Sequence, residues 1–475
     1  MPQARLARNT SLITGALTVQ KVLSFIYFWF ISNNLFPDQL GQYVFALSFT
    51  ALFSIFIDLG LSPVLTREAS KNTAQANTLL KNVMALKIPL ALITLSLTWL
   101  FITISGKQVD VRMLVYLASF ITLLDSFSVS FWVTFRAHHN VTYESIATIL
   151  IQIIIFTIGV IALKTSGQVI GLVVALLVAS IFNFFFGLTL LKTKLGYSLR
   201  PEWNPVIVRQ LLALIPAFAL AGVFLKIYNS ADSVLLGFLV GDVAVGHFAI
   251  PAKVVTSLAQ IIPGAFAAVM YPMFSYAYAN QNTTLTQTFT RACTYLLIIS
   301  LPLTVGIITL LPQAMSLVWP AYLDVIPNFF IMTLALPFIF LAFPTGYLLN
   351  ATNRQGKNTM NRGVMTALAI ILNLILIPRY GFLGAGITFL ATSVVVLGLD
   401  FYWTRKVIEI ETKKIGLVIL KSAVSILGMT LLLLGLREQL HLLLLIPLGA
   451  ITYFVILFGL KGFSLHDLHF LKNKA

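Results

Sequence analysis

Long apolar runs, separated only by short polar stretches, occupy almost the whole of this chain. A helix needs about 20 apolar residues to cross a bilayer. Only 10% of the residues are charged, whereas about a quarter of an ordinary soluble domain is charged. The sequence therefore predicts an all-α polytopic membrane protein with about fourteen transmembrane helices. The predicted segments are 10–32, 40–64, 82–104, 112–135, 145–163, 168–191, 210–240, 245–271, 291–312, 325–349, 363–378, 383–404, 416–436 and 441–460.

The basic residues favour one side of the membrane. With the N-terminus inside, 21 of the 31 Lys and Arg residues fall in cytoplasmic loops and five fall outside. Cytoplasmic loops carry the excess of Lys and Arg in membrane proteins. We therefore expect a multi-pass protein of the cell membrane with both termini in the cytoplasm, and we assign the net charge of +16 to topology rather than to nucleic-acid binding. The other five basic residues, which lie within segments, are Lys21, Lys87, Lys226, Lys253 and Lys421.

A repeat relates the first six segments to the next six. Each copy has a lysine followed 20 residues later by a Gly-x-aromatic step. Lys21 is followed by 41–43 (Gly-Gln-Tyr), and Lys226 is followed by 246–248 (Gly-His-Phe). Six helices per copy give both copies the same orientation, which predicts a pseudo-twofold axis along the membrane normal. The predicted organisation is an N-terminal lobe at 1–200, a C-terminal lobe at 201–410, and two further helices with a cytoplasmic tail at 411–475.

Three of the intramembrane lysines are predicted to bind substrate. A charge at mid-membrane costs at least about 2.5 kcal/mol, so it normally faces a polar interior. Lys21, Lys226 and Lys253 each share a helical face with hydroxyl or amide side chains, which suggests a central cationic cavity. For Lys21 a buried pair with an acid is the alternative, and for Lys253 it is snorkelling to the interface. The accompanying polar residues are Thr14, Thr18, Asn229, Ser230, Ser233, Thr256, Ser257 and Gln260.

Three acids are candidates for ion coupling or for ion pairs. Asp125 lies midway along the fourth segment, and Asp232 lies beside the polar stripe that follows Lys226. Asp58 closes a stripe of Thr50, Ser54 and Asp58 near the cytoplasmic end of the second segment. An intramembrane acid that alternately charges and neutralises is what proton or sodium coupling requires, but a structural partner for a lysine is equally compatible with the sequence. Of the remaining charges, Lys87 and Lys421 are expected to snorkel at helix ends, and Asp400 is expected near Arg405 at the interface.

Catalytic and cofactor signals are absent from the sequence. No phosphate-binding Gly-rich loop ending in Lys-Ser/Thr occurs, so no ATPase of its own is expected. His138 and His139 have no partners at metal-ligand spacing, and Cys293 is the single cysteine. We therefore expect a protein that is not an enzyme, with no catalytic residues, metal site or cofactor; its energy source would be a proton or sodium gradient.

Several short runs resemble landmarks of the polysaccharide transporter family, the O-antigen and oligosaccharidyl-lipid flippases of the multidrug/oligosaccharidyl-lipid/polysaccharide (MOP) flippase superfamily. The runs are 40–43 (LGQY), 56–61 (FIDLGL), 66–68 (TRE), 231–237 (ADSVLLG) and 377–386 (IPRYGFLGAG). The resemblance implies a V-shaped, two-lobed flippase that moves a polyprenyl-diphosphate-linked oligosaccharide to the outer leaflet for cell-surface polysaccharides such as the O-antigen of lipopolysaccharide. It implies membrane lipids, a polysaccharide polymerase and glycosyltransferases as partners.

Three other functions stay open at this point. A lipid II flippase also has fourteen helices and a cationic cavity, although that cavity is arginine-rich. A drug or cation antiporter of the same superfamily typically has twelve helices and acidic groups for its substrates. A membrane glycosyltransferase or polymerase would need a long extracytoplasmic catalytic loop, and none of the predicted outer loops is long enough.

Overall fold

The computed structural model describes residues 2–280 and 284–462, and this part of the chain is built from helices and short connections. Fourteen helical stretches in it are long and apolar enough to cross a membrane, which confirms the predicted fold class. The predicted cytoplasmic tail beyond Gly462 lies outside the described residues. The helices are α1 (Pro2–Asn34), α2 (Pro37–Asp58), α3 (Leu61–Lys71), α4 (Ala76–Ile104), α5 (Val109–Ala137), α6 (Thr142–Ser166), α7 (Val169–Leu195), α8 (Pro205–Leu239), α9 (Asp242–Ala279), α10 (Thr284–Val318), α11 (Ile326–Thr333), α12 (Leu336–Ala351), α13 (Gln355–Tyr380), α14 (Phe382–Thr404), α15 (Thr412–Leu436) and α16 (Leu442–Gly459).

The second predicted segment, 40–64, is divided into two helices. α2 ends at Asp58, and Leu59 and Gly60 adopt left-handed backbone with φ of 41° and 82°. Glycine adopts this conformation without steric cost, so Gly60 permits a sharp change of direction. The short helix α3 that follows buries Leu61, Val64 and Leu65. Its opposite face carries exposed charge, as expected of a helix lying at a membrane surface.

Other boundaries follow from caps and prolines. α8 begins at Pro205 because the Asn204 side chain accepts hydrogen bonds from the backbone N–H groups of Val206 and Ile207, and asparagine is a favoured N-cap. The tenth predicted segment, 325–349, is broken: a 3-10 turn at Pro320–Val325 leads into α11, and α12 follows after a short interruption. Prolines and breaks are tolerated in membrane helices where neighbouring helices satisfy the freed backbone groups.

The chain forms two compact units, residues 1–249 and 250–475. The first contains α1 to α8 and the first residues of α9. One apolar cluster in this unit packs Leu65 of α3 with Phe131 and Phe135 near the C-terminal end of α5. The second contains the rest of α9 and α10 to α16. It has one cluster around Phe274 and Phe289 and another between α10, α15 and α16.

The repeated glycines make a reciprocal contact between α2 and the start of α9. A Cβ at Gly41 would lie 1.7 Å from the carbonyl oxygen of Asp242, and a Cβ at Gly246 would lie 2.0 Å from the carbonyl oxygen of Pro37. Only glycine allows the two backbones to approach this closely. The repeated Gly-x-aromatic step therefore encodes a helix-to-helix contact within the first unit.

Candidate functional site

Lys226 on α8 is held by a serine of α2. Its ammonium donates a hydrogen bond to Ser54 Oγ at 2.9 Å. The Lys226 side chain is exposed, whereas Ser54 is buried. Asp58 lies one helical turn further along α2, on the same face as Ser54. The arrangement leaves an accessible cation next to a hydroxyl within a predicted membrane span.

Asp58 pairs with Lys87 of α4 in the interior of the first unit. The Lys87 ammonium lies 2.7 Å from the Asp58 carboxylate, and its side chain is completely buried. It also donates to the Ser126 carbonyl oxygen at 2.8 Å and is close to the hydroxyl of Ser62 at 3.3 Å. The expectation that Lys87 snorkels to the interface was therefore wrong: a carboxylate and three oxygen acceptors replace water around it.

Asp125 lies midway along α5, immediately before Ser126, and is half-buried. Its carboxylate accepts a hydrogen bond from Ser180 Oγ of α7 at 2.8 Å. Among the described residues, no Lys or Arg nitrogen lies within ion-pair distance of this carboxylate. Three groups of polar contacts thus lie in the first unit: Lys226 with Ser54, Lys87 with Asp58 and Ser126, and Asp125 with Ser180. We call these seven residues the polar network.

Lys21 on α1 is half-buried and stands apart from the polar network. In the part of the chain that the structure describes, it forms no ion pair with a carboxylate, so the alternative of a buried acid–lysine pair is not seen. The preceding turn of α1 is polar, and the Thr18 hydroxyl donates to the Thr14 carbonyl oxygen at 2.9 Å. Thr14 and Thr18 are both exposed, so this polar face of α1 is not covered within the unit.

The remaining candidates differ in burial. On α8, Ser230, Asp232 and Ser233 are buried whereas Asn229 is exposed, so the stripe after Lys226 divides into an accessible part and a packed part. Lys253 lies on α9 in the second unit and is half-buried. The structure therefore brings Asp58 and Lys226 close together and pairs Asp125 with Ser180. It leaves Lys21, Asp232 and Lys253 at other positions.

Asp400 was assigned to the wrong partner and the wrong environment. It is completely buried and pairs with Arg362 of α13 at 2.7 Å. Asn361 donates to the same carboxylate at 2.7 Å. This arrangement joins α13 to α14 within the second unit. Arg405 was expected because it is close in sequence, but a helix brings residues five apart to different faces.

An ion pair that the sequence did not indicate lies at the start of α9. Lys107, in the turn between α4 and α5, pairs with Asp242, and both side chains are largely buried. The Lys107 ammonium also lies 4.5 Å from the ring centroid of Phe45. A cation above a ring face is a favourable arrangement. Lys107 had been placed in an outer loop, and nothing in its sequence neighbourhood identifies a partner 135 residues away.

The loop histidines have a structural role. His138 Nε2 lies 2.7 Å from the hydroxyl of Tyr197, which joins the α5–α6 turn to the segment after α7. Burial, followed by the charge of His139, lowers the pKa of His138, and burial raises the pKa of Tyr197. Among the described residues, no group of three or more His, Cys, Asp or Glu side chains could hold a metal ion.

Comparison with known proteins gives a family and a fold. A family described as "Polysaccharide biosynthesis protein" matches residues 6–278. No curated protein matches the chain. A solved structure of the lipid II flippase MurJ, in an inward closed conformation, has a TM-score of 0.73 at 14% identity and covers 94% of this chain and 97% of its own.

Two further solved structures share the fold. An inward-facing multidrug resistance MATE transporter of the MOP superfamily has a TM-score of 0.65 at 16% identity, covering 83% of this chain and 94% of its own. A MOP superfamily transporter from Pyrococcus furiosus, described as having a binding pocket of reverse polarity, has a TM-score of 0.56 at 16% identity and covers 85% of this chain and 95% of its own. Because these identities are low, the similarity of this chain to the three structures shows a shared fold.

Proposed function

The chain belongs to the polysaccharide biosynthesis protein family, and on that premise we propose that it flips polyprenyl-diphosphate-linked oligosaccharides from the cytoplasmic to the outer leaflet by alternating access. It is a multi-pass membrane protein with the fold of MOP superfamily transporters, and this family is one of transporters rather than enzymes. The proposed product is a precursor of a cell-surface polysaccharide such as an O-antigen.

One observation carries this proposal. Lys21 and Lys226 occupy matched positions of the repeat, within membrane spans, and neither has a carboxylate oxygen within 4 Å among the described residues. A lysine in a span is expensive unless it is paired or faces a polar cavity. Lysine is a compact, strongly hydrated point charge. Two such cations, neither of which forms an ion pair among the described residues, are suited to a substrate that carries the negative charge itself.

A diphosphate headgroup supplies that charge. Its oxygens would accept charge-assisted hydrogen bonds from Lys21 and Lys226, and Lys253 is proposed as a third cation. The exposed hydroxyls of Thr14 and Thr18 and the amide of Asn229 would bind the sugars. The polyprenyl chain would stay in the lipid, so that only the polar headgroup passes through the protein.

The coupling ion would act through the polar network. Asp125 is the acid in it that has no lysine or arginine beside it, so a proton or sodium ion is proposed to neutralise it during the cycle. Because Asp125 of α5 is hydrogen-bonded to Ser180 of α7, a change of charge at Asp125 would be felt first by these two helices.

Lipid II flipping is the second candidate, since the structure of a lipid II flippase matches this chain along almost its full length. Both substrates are polyprenyl diphosphates, so the lysines do not distinguish them. The headgroups differ: lipid II carries a peptide, and an oligosaccharide does not.

Flipping measured in proteoliposomes tests the function directly. The purified protein would be offered a polyprenyl-diphosphate oligosaccharide, lipid II, and a polyprenyl monophosphate with the same glycan. We expect the diphosphate oligosaccharide to move fastest and the monophosphate to move several-fold more slowly. Faster movement of lipid II would favour the second candidate, and movement of all three no faster than in protein-free liposomes would refute both.

A further inference from the structure

A basic cavity of about 460 Å³ lies in the second unit, between α10, α15 and the end of α16. One wall of the cavity is formed by the first turns of α10, up to Tyr295. The first turns of α15, up to Lys421, form another wall of similar length. The lining residues are Gln287, Thr290, Arg291, Thr294, Tyr295, Glu411, Lys414, Leu417, Val418, Lys421, Lys461 and Gly462. None of these residues belongs to the polar network or to the proposed lysine cavity.

The charges that line this cavity are strongly unbalanced. Arg291, Lys414, Lys421 and Lys461 face a single carboxylate, that of Glu411. Glu411 pairs with Lys414 at 2.7 Å, and this pair is partly exposed. Four cationic side chains against one carboxylate among the lining residues favour an anion of more than one negative oxygen.

The lining also offers neutral hydrogen-bonding groups and a fixed ammonium. Lys421 lies nine residues into α15, about 13 Å along its axis, and its Nζ donates to the Lys461 carbonyl oxygen at 2.8 Å. Thr290 is buried, and its hydroxyl lies beside the Glu411 carboxylate. A phosphate oxygen in the cavity would be a further acceptor for this hydroxyl.

Apolar surface continues from the cavity along the membrane-facing side of α15. Leu420 and Leu427 are 63% and 65% exposed, and Leu417 and Val424 are also exposed. This surface lies along a predicted membrane span. A bound molecule with phosphate at one end and acyl chains at the other would cover the cations and the apolar face together. A free phosphate would cover only the cations.

We propose that this cavity binds the phosphate headgroup of an anionic membrane phospholipid, with the acyl chains along α15. Basic pockets between helices at a membrane surface bind anionic headgroups in this way. The starts of α10 and α15 and the end of α16 meet here, so the positive-inside bias places the site at the inner leaflet. The site is independent of the proposed transport function, because it uses none of the residues assigned to that function.

Native mass spectrometry of the full chain in detergent would test this proposal, with phosphatidylglycerol, phosphatidylcholine and inorganic phosphate as probes. We expect preferential retention of phosphatidylglycerol and about fivefold weaker binding for each cation removed in Arg291→Gln and Lys421→Gln, since one basic residue near a lipid surface contributes about 1 kcal/mol. Lys421→Arg should keep most of the binding. Lys413→Gln is the control, because Lys413 is exposed in the first turn of α15 and does not line the cavity.

Three results would overturn the proposal. Equal retention of the two lipids would show that the cavity does not select charge. Equal loss in Lys413→Gln and Lys421→Gln would show a diffuse surface effect. Displacement of phosphatidylglycerol by millimolar inorganic phosphate would show that the site takes a free anion rather than a lipid. Thermal unfolding of each variant shows whether it is folded, and the retained binding of Lys421→Arg keeps the test valid if Lys421→Gln is unstable.

Discussion

The same side chain, lysine, is stabilised in different ways at three places in the first unit. Lys87 is buried and surrounded by acceptors, Lys226 is exposed and bound by one serine hydroxyl, and Lys21 is half-buried without a carboxylate. An ion pair inside a protein compensates for lost hydration only when its geometry is good. Lys87 is therefore suited to stabilising the fold, whereas the ammonium groups of Lys21 and Lys226 can still donate hydrogen bonds to an anion.

Removing either of the two accessible lysines should reduce flipping. We expect Lys21→Ala and Lys226→Ala each to slow it roughly 10- to 100-fold, because a hydrogen bond to a charged group contributes on the order of 1.5–3 kcal/mol. Arginine should restore part of the activity, and Lys21→Glu should be worse than alanine. The measurement is flipping of a diphosphate-linked lipid in proteoliposomes, with the exposed Lys192→Ala as the control. Equal rates for Lys21→Ala, Lys21→Glu and the parent protein would exclude contact between Lys21 and the headgroup.

Breaking the Asp58–Lys87 pair should destabilise the fold. Lys87→Met leaves Asp58 without its cation and should lower the free energy of unfolding by about 3 kcal/mol, and Asp58→Asn together with Lys87→Met should recover most of it. Lys71 provides the matched control: its pair with Glu68 is exposed, so Lys71→Ala should change stability by less than about 1 kcal/mol. Denaturant unfolding in detergent measures all three. Equal stability of Lys87→Met and Lys71→Ala would contradict the buried pair.

Asp125→Asn should uncouple transport from the ion gradient without affecting insertion. The amide keeps the size of the side chain and its hydrogen bonding to Ser180 but cannot titrate. Flipping under an imposed proton or sodium gradient, compared with no gradient, would show the loss of stimulation. Asp110→Asn, at an exposed position in the first turn of the same helix, should behave like the parent protein. Unchanged, gradient-independent flipping would exclude a coupling role for Asp125.

At the scale of the helices, the sequence predicted most spans and missed the places where backbone geometry intervenes. Hydrophobic length is a local property and finds α4 or α14 without knowledge of their neighbours. The break at Leu59 and Gly60, the α3 helix and the divided tenth segment depend on turn conformation and packing. The matched Gly-x-aromatic steps did indicate a repeat, but the contact between Gly41 and Asp242 could be seen only once the helices were placed.

Filling this contact should separate the N-terminal ends of α2 and α9. Gly41→Ala and Gly246→Ala would each place a methyl group on a carbonyl oxygen and should cost about 1–3 kcal/mol of stability. Gly222→Ala is the control, since its Cβ would meet nothing within 4 Å and alanine favours a helix. Spin labels on cysteines at the exposed Asp38 and Val243 report the separation, and the buried Cys293 would not compete for label. An unchanged distance and stability in Gly41→Ala would refute the close contact.

Across the whole molecule, contacts between connecting segments support the alternation of loops that the basic residues predict. Lys81 pairs with Glu202 at 3.3 Å, which joins the second and sixth loops, both predicted to be cytoplasmic. Lys107 pairs with Asp242, which joins the third and seventh loops, both predicted to be outside. The division at 200 and 410 into two lobes and two further helices remains a prediction, because hydrophobic patterns count helices but do not show how they group.

Reporter fusions test this alternation as a whole. Fusions at Asn140 and Lys461 should be cytoplasmic, and fusions at Lys107 and Asp324 should be outside, because the positive-inside rule allows only this orientation for a bias of 21 to five. Asp324 is the most informative position, since it lies in the 3-10 turn before α11 and has nine predicted spans on its N-terminal side. A cytoplasmic reading there, with the other three as expected, would require an even number of crossings between Asn140 and Asp324 and again between Asp324 and Lys461. Because five spans are predicted in each interval, at least one span on each side of Asp324 would then not cross the membrane, and the count of fourteen crossings would be refuted.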